Sequence, residues 1–180
     1  MTHRRVATNG IELHVAECGP ADGRPVVLCH GFPELWYSWR HQLPVLAAAG
    51  YRAIAPDLRG YGDSDHPDRV EDYGIGPLAA DLLGLVDELG ANNPIFVGHD
   101  WGALIVWDLA RLHPERVSAM CAMSVPLFAP PAPPTEMFDR LFKDQFFYIL
   151  YFQEVGPAEE ELARDPRVTM RRMLWSISGA

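Results

Sequence analysis

Lysine is almost absent from this sequence: Lys143 stands alone against fourteen arginines. That bias reads as codon composition and carries no functional weight. Acidic residues outnumber basic ones by 24 to 15, for a formal net charge of −9, and no basic patch offsets them. A general affinity for phosphate backbones or anionic lipid is therefore disfavoured, and neither a nucleic-acid nor a membrane partner is expected. Long apolar runs are missing as well. None approaches the ~20 residues a membrane helix needs, and Met1 to Gly10 is polar, so the expected location is the cytoplasm. Cysteine is sparse: Cys18, Cys29 and Cys121 are odd in number and form no C-x-x-C pair, which supports neither a disulfide framework nor a zinc site. Histidine is absent beyond His113. What remains is enough for a folded domain, since 180 residues at 48% hydrophobic content can form a substantial core.

Along the chain, Asn9-Gly10 lies between two runs of alternating polarity within Arg4 to Cys18, a strong signal for a tight hairpin. Pro25 to Cys29 is a short continuous apolar run, as expected of a strand covered on both faces. Helical spacing over Trp36 to Ala49 predicts a helix capped by Gly50. Tyr51 to Ala55 reads as a strand and Asp57 to Asp65 as a glycine-rich loop. Leu78, Leu82, Leu85, Val86 and Leu89 share one face of a helix ending at Gly90. Pro94 to Val97 is a further buried strand, Ala103 to Leu112 a helix, and Ser118 to Val125 a strand. This alternation after an opening hairpin predicts an α/β fold with a mostly parallel sheet. Residues 1–125 form that core. The prolines Pro126, Pro130, Pro131, Pro133 and Pro134 mark a linker over 126–134, and 135–180 begins a helical excursion.

Three loops fall at the carboxyl ends of strands, where α/β sheets bind ligands. In Gly98-His99-Asp100-Trp101-Gly102 two glycines flank a central residue at minus two and plus two. That is the spacing of the G-x-S-x-G nucleophile elbow, with Asp100 in place of serine and the following helix N-terminus facing the site. A serine attacking a saturated carbon would form an ether that water cannot readily cleave. An aspartate forms an ester, which water hydrolyses through its carbonyl, so Asp100 points to alkyl rather than acyl transfer. Spacing alone leaves an equal alternative, in which Asp100 merely caps the helix that starts at Trp101. His30-Gly31-Phe32-Pro33 follows the strand ending at Cys29, where an oxyanion loop would stand. Backbone donors are then expected at Phe32 and Trp101, with Pro33 holding Phe32 out of the helical region. An ordinary strand-to-helix turn is the bland alternative. His30 and His99 read as structural histidines beneath the pocket. The acids of Asp57 to Asp65 lack metal-ligand spacing, and Arg59 is expected to pair with a neighbouring carboxylate. No metal and no cofactor are expected.

These pieces give the sequence a resemblance to the epoxide hydrolases of the α/β-hydrolase superfamily, of the soluble bacterial type. It rests on His30 to Glu34 with Trp36 to Arg40, on Asp57 to Ser64, on Gly98 to Gly102, and on Phe147 to Glu154, in family order across nearly the whole chain. The resemblance implies an α/β-hydrolase fold with a helical lid inserted after the sheet. It also implies a small apolar epoxide and water as substrates, a vicinal diol as product, and catalytic roles for Asp100 and Tyr148. Tyr148 is the first tyrosine of the Y-x-L-Y-F-Q stretch, and in this family it hydrogen-bonds the epoxide oxygen. By spacing alone the same tyrosine reads as lid packing, which is retained for Tyr151. Gly31, Pro33, Gly98 and Gly102 shape the site with His30 and His99. A homodimer is left open.

The family places its orienting acid and its histidine base after the lid, whereas this sequence reaches Ala180 within the lid region and carries no histidine after His113. The expectation is the front portion of a longer enzyme, one able to form the ester but not to hydrolyse it. Haloalkane dehalogenases share the aspartate elbow but usually carry a polar residue where Phe32 stands, and fluoroacetate dehalogenases tend to place arginine where Trp101 stands. A hydrolase-like shell that binds without turnover is the alternative of a different class.

Overall fold

The computed structural model describes residues 1–127, 129 and 131–178. Six strands make one sheet: β1 (Thr2–Thr8), β2 (Ile11–Cys18), β3 (Arg24–Cys29), β4 (Tyr51–Pro56), β5 (Ile95–His99) and β6 (Ala119–Met123), in the spatial order β1-β2-β4-β3-β5-β6. The hairpin β1/β2 and the β2/β4 pair are antiparallel, and the remaining pairs are parallel. Asn9 and Gly10 turn the hairpin with both φ angles positive, at 43° and 77°, as a two-residue primed turn requires.

Alternation within the strands decides which helix covers which face. Val27, Cys29, Ile54 and Phe96 pack against α2 (Ile75–Glu88) and α3 (Trp101–Leu112), through Leu82, Leu85, Ile105 and Leu109. Val26, Leu28, Ala53 and Ala55 point the other way, toward Trp39 and toward Leu43 of α1 (Gln42–Ala48). The central strands are thus buried on both sides, which is why Pro25 to Cys29 shows no polar alternation.

Among the boundaries that differ from expectation, β5 runs on to His99 and α3 starts already at Trp101, and two others have a cause in view. Trp36 to Ala49 is not one helix: Trp36–Trp39 forms a 3-10 turn and α1 begins only at Gln42. Pro44 explains the break, because in a continuous helix its ring would strike the Arg40 carbonyl and its missing N–H would forfeit a bond. The last strand is shorter than Ser118 to Val125 and ends at Met123, where Ser124 turns the backbone to φ 69°.

The chain divides into two compact units, Met1–Leu127 and Phe128–Ala180. The second unit is helical, with α4 (Pro134–Leu141), α5 (Tyr148–Tyr151), α6 (Pro157–Leu162) and α7 (Pro166–Ile177). Of the linker prolines, Pro130 lies outside the described residues, and Pro134 already belongs to the first turn of α4, where a missing N–H costs nothing. Asp165 starts α7 by accepting the backbone N–H groups of Arg167 and Val168, each at 3.1 Å.

Candidate active site

The chain runs from β3 to β4 on one side of β3 and then returns to place β5 on its other side. The carboxyl ends of β3 and β5 are therefore the switch point of the sheet, and the two loops of interest leave from there. Register aligns them. Cys29 pairs with Gly98, so two residues onward Gly31 falls beside Asp100.

Asp100 joins β5 to α3 at φ 54° and ψ −117°, a conformation that an L-residue adopts only under constraint. It stands at the cap position of α3, yet its side chain makes no cap bond. Its backbone serves instead, the carbonyl accepting Ala103 N–H at 3.0 Å. The simple capping alternative therefore does not describe this carboxylate. The flanking glycines are needed for close approach: a Cβ on Gly98 would lie 2.2 Å from the Gly102 carbonyl oxygen, and one on Gly102 would lie 2.2 Å from that of Cys29.

The carboxylate turns toward the β3 loop. Its Oδ1 accepts the Phe32 backbone N–H at 3.0 Å. Trp101 is the first residue of α3, where helix geometry leaves the N–H without an internal acceptor, and the residue is 44% exposed. The two amides expected as donors thus lie on the two loops that meet at Asp100. The peptide between Phe32 and Pro33 is cis. Gly31 leaves space for the Asp100 side chain, since a Cβ there would lie 2.4 Å from the Asp100 Cβ.

Glu34, which the resemblance includes without giving it a role, joins this group. Its Oε2 accepts the Gly31 N–H at 3.0 Å and lies 3.1 Å from His99 Nδ1, while its own N–H donates to the Gly31 carbonyl at 2.9 Å. A carboxylate three residues after a turn start, reaching back to that residue's N–H, has the spacing of a capping box, and that spacing was the available signal. His99 is thus a partner of Glu34 and only partly buried. His30 is fully buried and held at both nitrogens: Nε2 accepts Leu58 N–H at 3.0 Å, so Nδ1 carries the proton it donates to the Gly31 carbonyl at 2.8 Å. Burial holds its imidazole below the ordinary histidine range, as suits a neutral structural ring.

The third loop is organised from beneath. Arg59 forms a two-pronged pair with Asp81 of α2, at 2.8 Å and 2.6 Å, so the expected carboxylate partner comes from a helix. Tyr61 packs edge-on against His30 with ring centroids 4.9 Å apart. Burial, then the Asp100 charge, pushes its phenol up to about 12. Among the described residues no group of three or more His, Cys, Asp or Glu side chains is placed to hold a metal ion.

In the second unit, Tyr148 opens α5 with its side chain against Phe147 and Phe152, at centroid distances of 5.3 Å and 5.7 Å, and it is 40% exposed. Tyr151 packs against Phe146 and Phe152, and its hydroxyl donates to Glu161 at 2.7 Å, which pushes that phenol up. Stacked Phe142 and Phe147, with centroids 4.1 Å apart, extend the aromatic cluster. His113 closes α3 through its backbone N–H, which donates to Leu109 at 2.8 Å.

The chain is similar to an epoxide hydrolase A of Mycobacterium tuberculosis, at 55% identity over 98% of this chain and 55% of that protein. An epoxide hydrolase of Siraitia grosvenorii is 48% identical over 89% of this chain and 51% of its own length. Among solved structures, the epoxide hydrolase A of Mycobacterium thermoresistibile superposes with a TM-score of 0.92 at 54% identity, covering 96% of this chain and 55% of that one. The chain therefore spans about half the length of the curated relatives it matches. No helix among the described residues is long and apolar enough to cross a membrane. Residues 24–158 match the family described as alpha/beta hydrolase fold. With its mostly parallel sheet, its elbow after β5 and its loop after β3, the chain belongs to the α/β-hydrolase fold family.

Proposed function

We propose that Asp100 is the nucleophile of an epoxide-opening reaction and holds the opened substrate as a covalent ester. The observation that carries this reading is the Asp100 carboxylate itself, which is withheld from capping its helix, fixed at positive φ, and bound by the Phe32 N–H. That hydrogen bond sorts the two oxygens. Oδ1 stays with the amide and becomes the ester carbonyl oxygen, which leaves Oδ2 to attack a ring carbon. As the carbon–oxygen bond of the ring opens, its electron pair passes to the ring oxygen, which takes a proton. Tyr148 is the proposed donor, on the strength of the resemblance of residues 147–154 to the family's lid segment. Water then adds to the ester carbonyl, the Phe32 and Trp101 amides stabilise the oxyanion at Oδ1, and release of the carboxylate yields a vicinal diol.

The resemblance assigns water activation to a histidine beyond the lid. The ester is therefore the step at which the role of Asp100 is tested. The aromatic cluster of the second unit favours an apolar epoxide, and three unpaired cysteines favour a cytoplasmic setting. Dehalogenation is the weaker reading, because the similar proteins bear the name epoxide hydrolase and Phe32 offers no polar side chain for halide. Intact-mass spectrometry after incubation with an aryl epoxide is expected to show a gain of one epoxide mass, located to the Asp100 peptide and absent in Asp100→Ala. An adduct confined to other residues, or none, overturns the proposal.

A further inference from the structure

His3, His14 and Asp57 have no part in the reaction above, yet they form a hydrogen-bonded line from an exposed strand to a buried carboxylate. His14 Nδ1 lies 2.7 Å from Asp57 Oδ2, and His14 Nε2 lies 3.0 Å from His3 Nδ1. The two rings are nearly parallel, with centroids 5.2 Å apart and planes 10° apart, and the Trp36 indole meets His3 edge-on at 4.8 Å. Asp57 is 2% exposed, and its other oxygen accepts the Trp36 backbone N–H at 2.8 Å. The His14 backbone is pinned as well, its N–H donating to Ser64 Oγ at 2.9 Å and its carbonyl accepting Asp57 N–H at 2.9 Å.

Counting protons along this line gives it a function. A carboxylate only accepts, so His14 Nδ1 carries a proton, and exactly one further proton fits between His14 Nε2 and His3 Nδ1. With both rings neutral, His3 Nδ1 donates to His14 Nε2. One added proton, with charge settling on His14 beside Asp57, reverses that bond without breaking it, because His3 can hold its own hydrogen at Nε2. A second added proton sets N–H against N–H and places two cations in contact. We infer that His3 and His14 act as a one-proton unit that clamps β1 to the Asp57–Trp36 anchor and lets go when doubly protonated. Trp36 begins the 3-10 turn three residues after Pro33, so the clamp fastens the terminal strand to the segment that follows the Phe32 loop.

The charged groups on the surrounding elements are already engaged with one another or act on the anchor. On β1, Arg4 pairs with Glu17 of β2, and Arg5 pairs with Glu12 of β2 and with Asp65. Arg52 of β4 also pairs with Glu17, Asp63 donates its N–H to Asp57 at 3.4 Å, Glu34 pairs with His99, and Arg40 lies over the Tyr37 ring. The N-terminal ammonium precedes β1. None of these is a hydrogen-bond partner of either imidazole.

Long-range nitrogen NMR on the histidine-labelled 180-residue chain tests the inference, from about pH 8 down to about pH 4, the range in which imidazoles titrate. His3→Phe keeps a ring against His14 and Trp36 but removes the nitrogen, and position 3 is exposed, so folding is spared. The expected result is a His14 nitrogen signal whose pH dependence in wild type differs from that in His3→Phe, with the Trp36 amide signal moving in step. Coincident His14 curves in the two proteins, or a Trp36 amide indifferent to His14, overturn it. No epoxide enters the measurement, so its outcome is independent of the role of Asp100.

Discussion

Close approach at two glycines ties the geometry around Asp100 to the folding of the loops that carry it. A Cβ on Gly31 would meet the Asp100 side chain, at 2.4 Å from its Cβ and 2.7 Å from Oδ1. Rotation of the carboxylate relieves the Oδ1 contact, but the backbone holds the Asp100 Cβ, so the methyl must push the two loops apart as well. Gly31→Ala is expected to slow ester formation about 100-fold, the scale of a one-ångström misplacement, and to lower the urea midpoint with it. At Gly102 the added atom would meet backbone instead, the Cys29 and His30 carbonyl oxygens at 2.2 Å and 2.8 Å. Gly102→Ala is expected to destabilise the fold by about 1–3 kcal/mol in urea unfolding, the usual scale of overpacking. An unchanged rate of ester formation in Gly31→Ala, or an unchanged urea midpoint in Gly102→Ala, would contradict these assignments. At this scale, spacing announced Gly98, Asp100 and Gly102, because an elbow needs small residues at fixed offsets. It left open whether Asp100 caps or reacts, since that turns on a side-chain direction and on the Phe32 bond, 68 residues away in sequence. Glu34 was hidden for the same reason, because its partner His99 comes from another strand.

The buried pair between the third loop and α2 shows how elements are fastened. Arg59 and Asp81 have side chains only 6% and 3% exposed, and Asp81 also takes Asn9 Nδ2 at 2.8 Å while its carbonyl accepts from Thr8 Oγ1 at 2.9 Å. Loop, hairpin and helix therefore converge on one residue. Asp81→Ala would strand the guanidinium in the interior, and a loss of about 3–5 kcal/mol is expected from chemical denaturation. Adding Arg59→Met should recover a substantial part, because an uncompensated charge is costlier than an apolar pair. An additive double variant would mean that the pair is not the cause. The sequence foretold that Arg59 would find a carboxylate but not which one, for pairing between a loop and a helix leaves no local period. Element types were more legible, since apolar runs and face-spaced leucines report burial directly. The one helix misread, Trp36 to Ala49, had its correction in view at Pro44.

The two units differ in how they hold their apolar residues. Both hydrophobic clusters lie within the first 127 residues, whereas among the described residues of the second unit Ala158 is the one buried hydrophobic residue, and Leu141, Phe146, Trp175 and Ile177 are exposed. Cysteine positions turn the organisation of the first unit into a measurement that also guards the adduct experiment, because thiols react with epoxides. Cys29 lies wholly within the core, where burial pushes its thiol up to about 12, while Cys121 is exposed on β6. A thiolate is the reactive species, so Cys29 has neither access nor ionisation in the folded state. In native conditions at pH about 8, near the ordinary thiol range, a maleimide is expected to label Cys121 within minutes and to spare Cys29 until the sheet opens. Labelling of Cys29 should follow the urea unfolding curve. If Cys29 reacts as readily as Cys121 in the folded chain, the core assigned to β3 is wrong. If it does not, blocking Cys121 and the half-buried Cys18 first removes the accessible thiols, so that the mass measurement reads alkylation at the Asp100 peptide, and the residue, the elbow and the sheet are tested together.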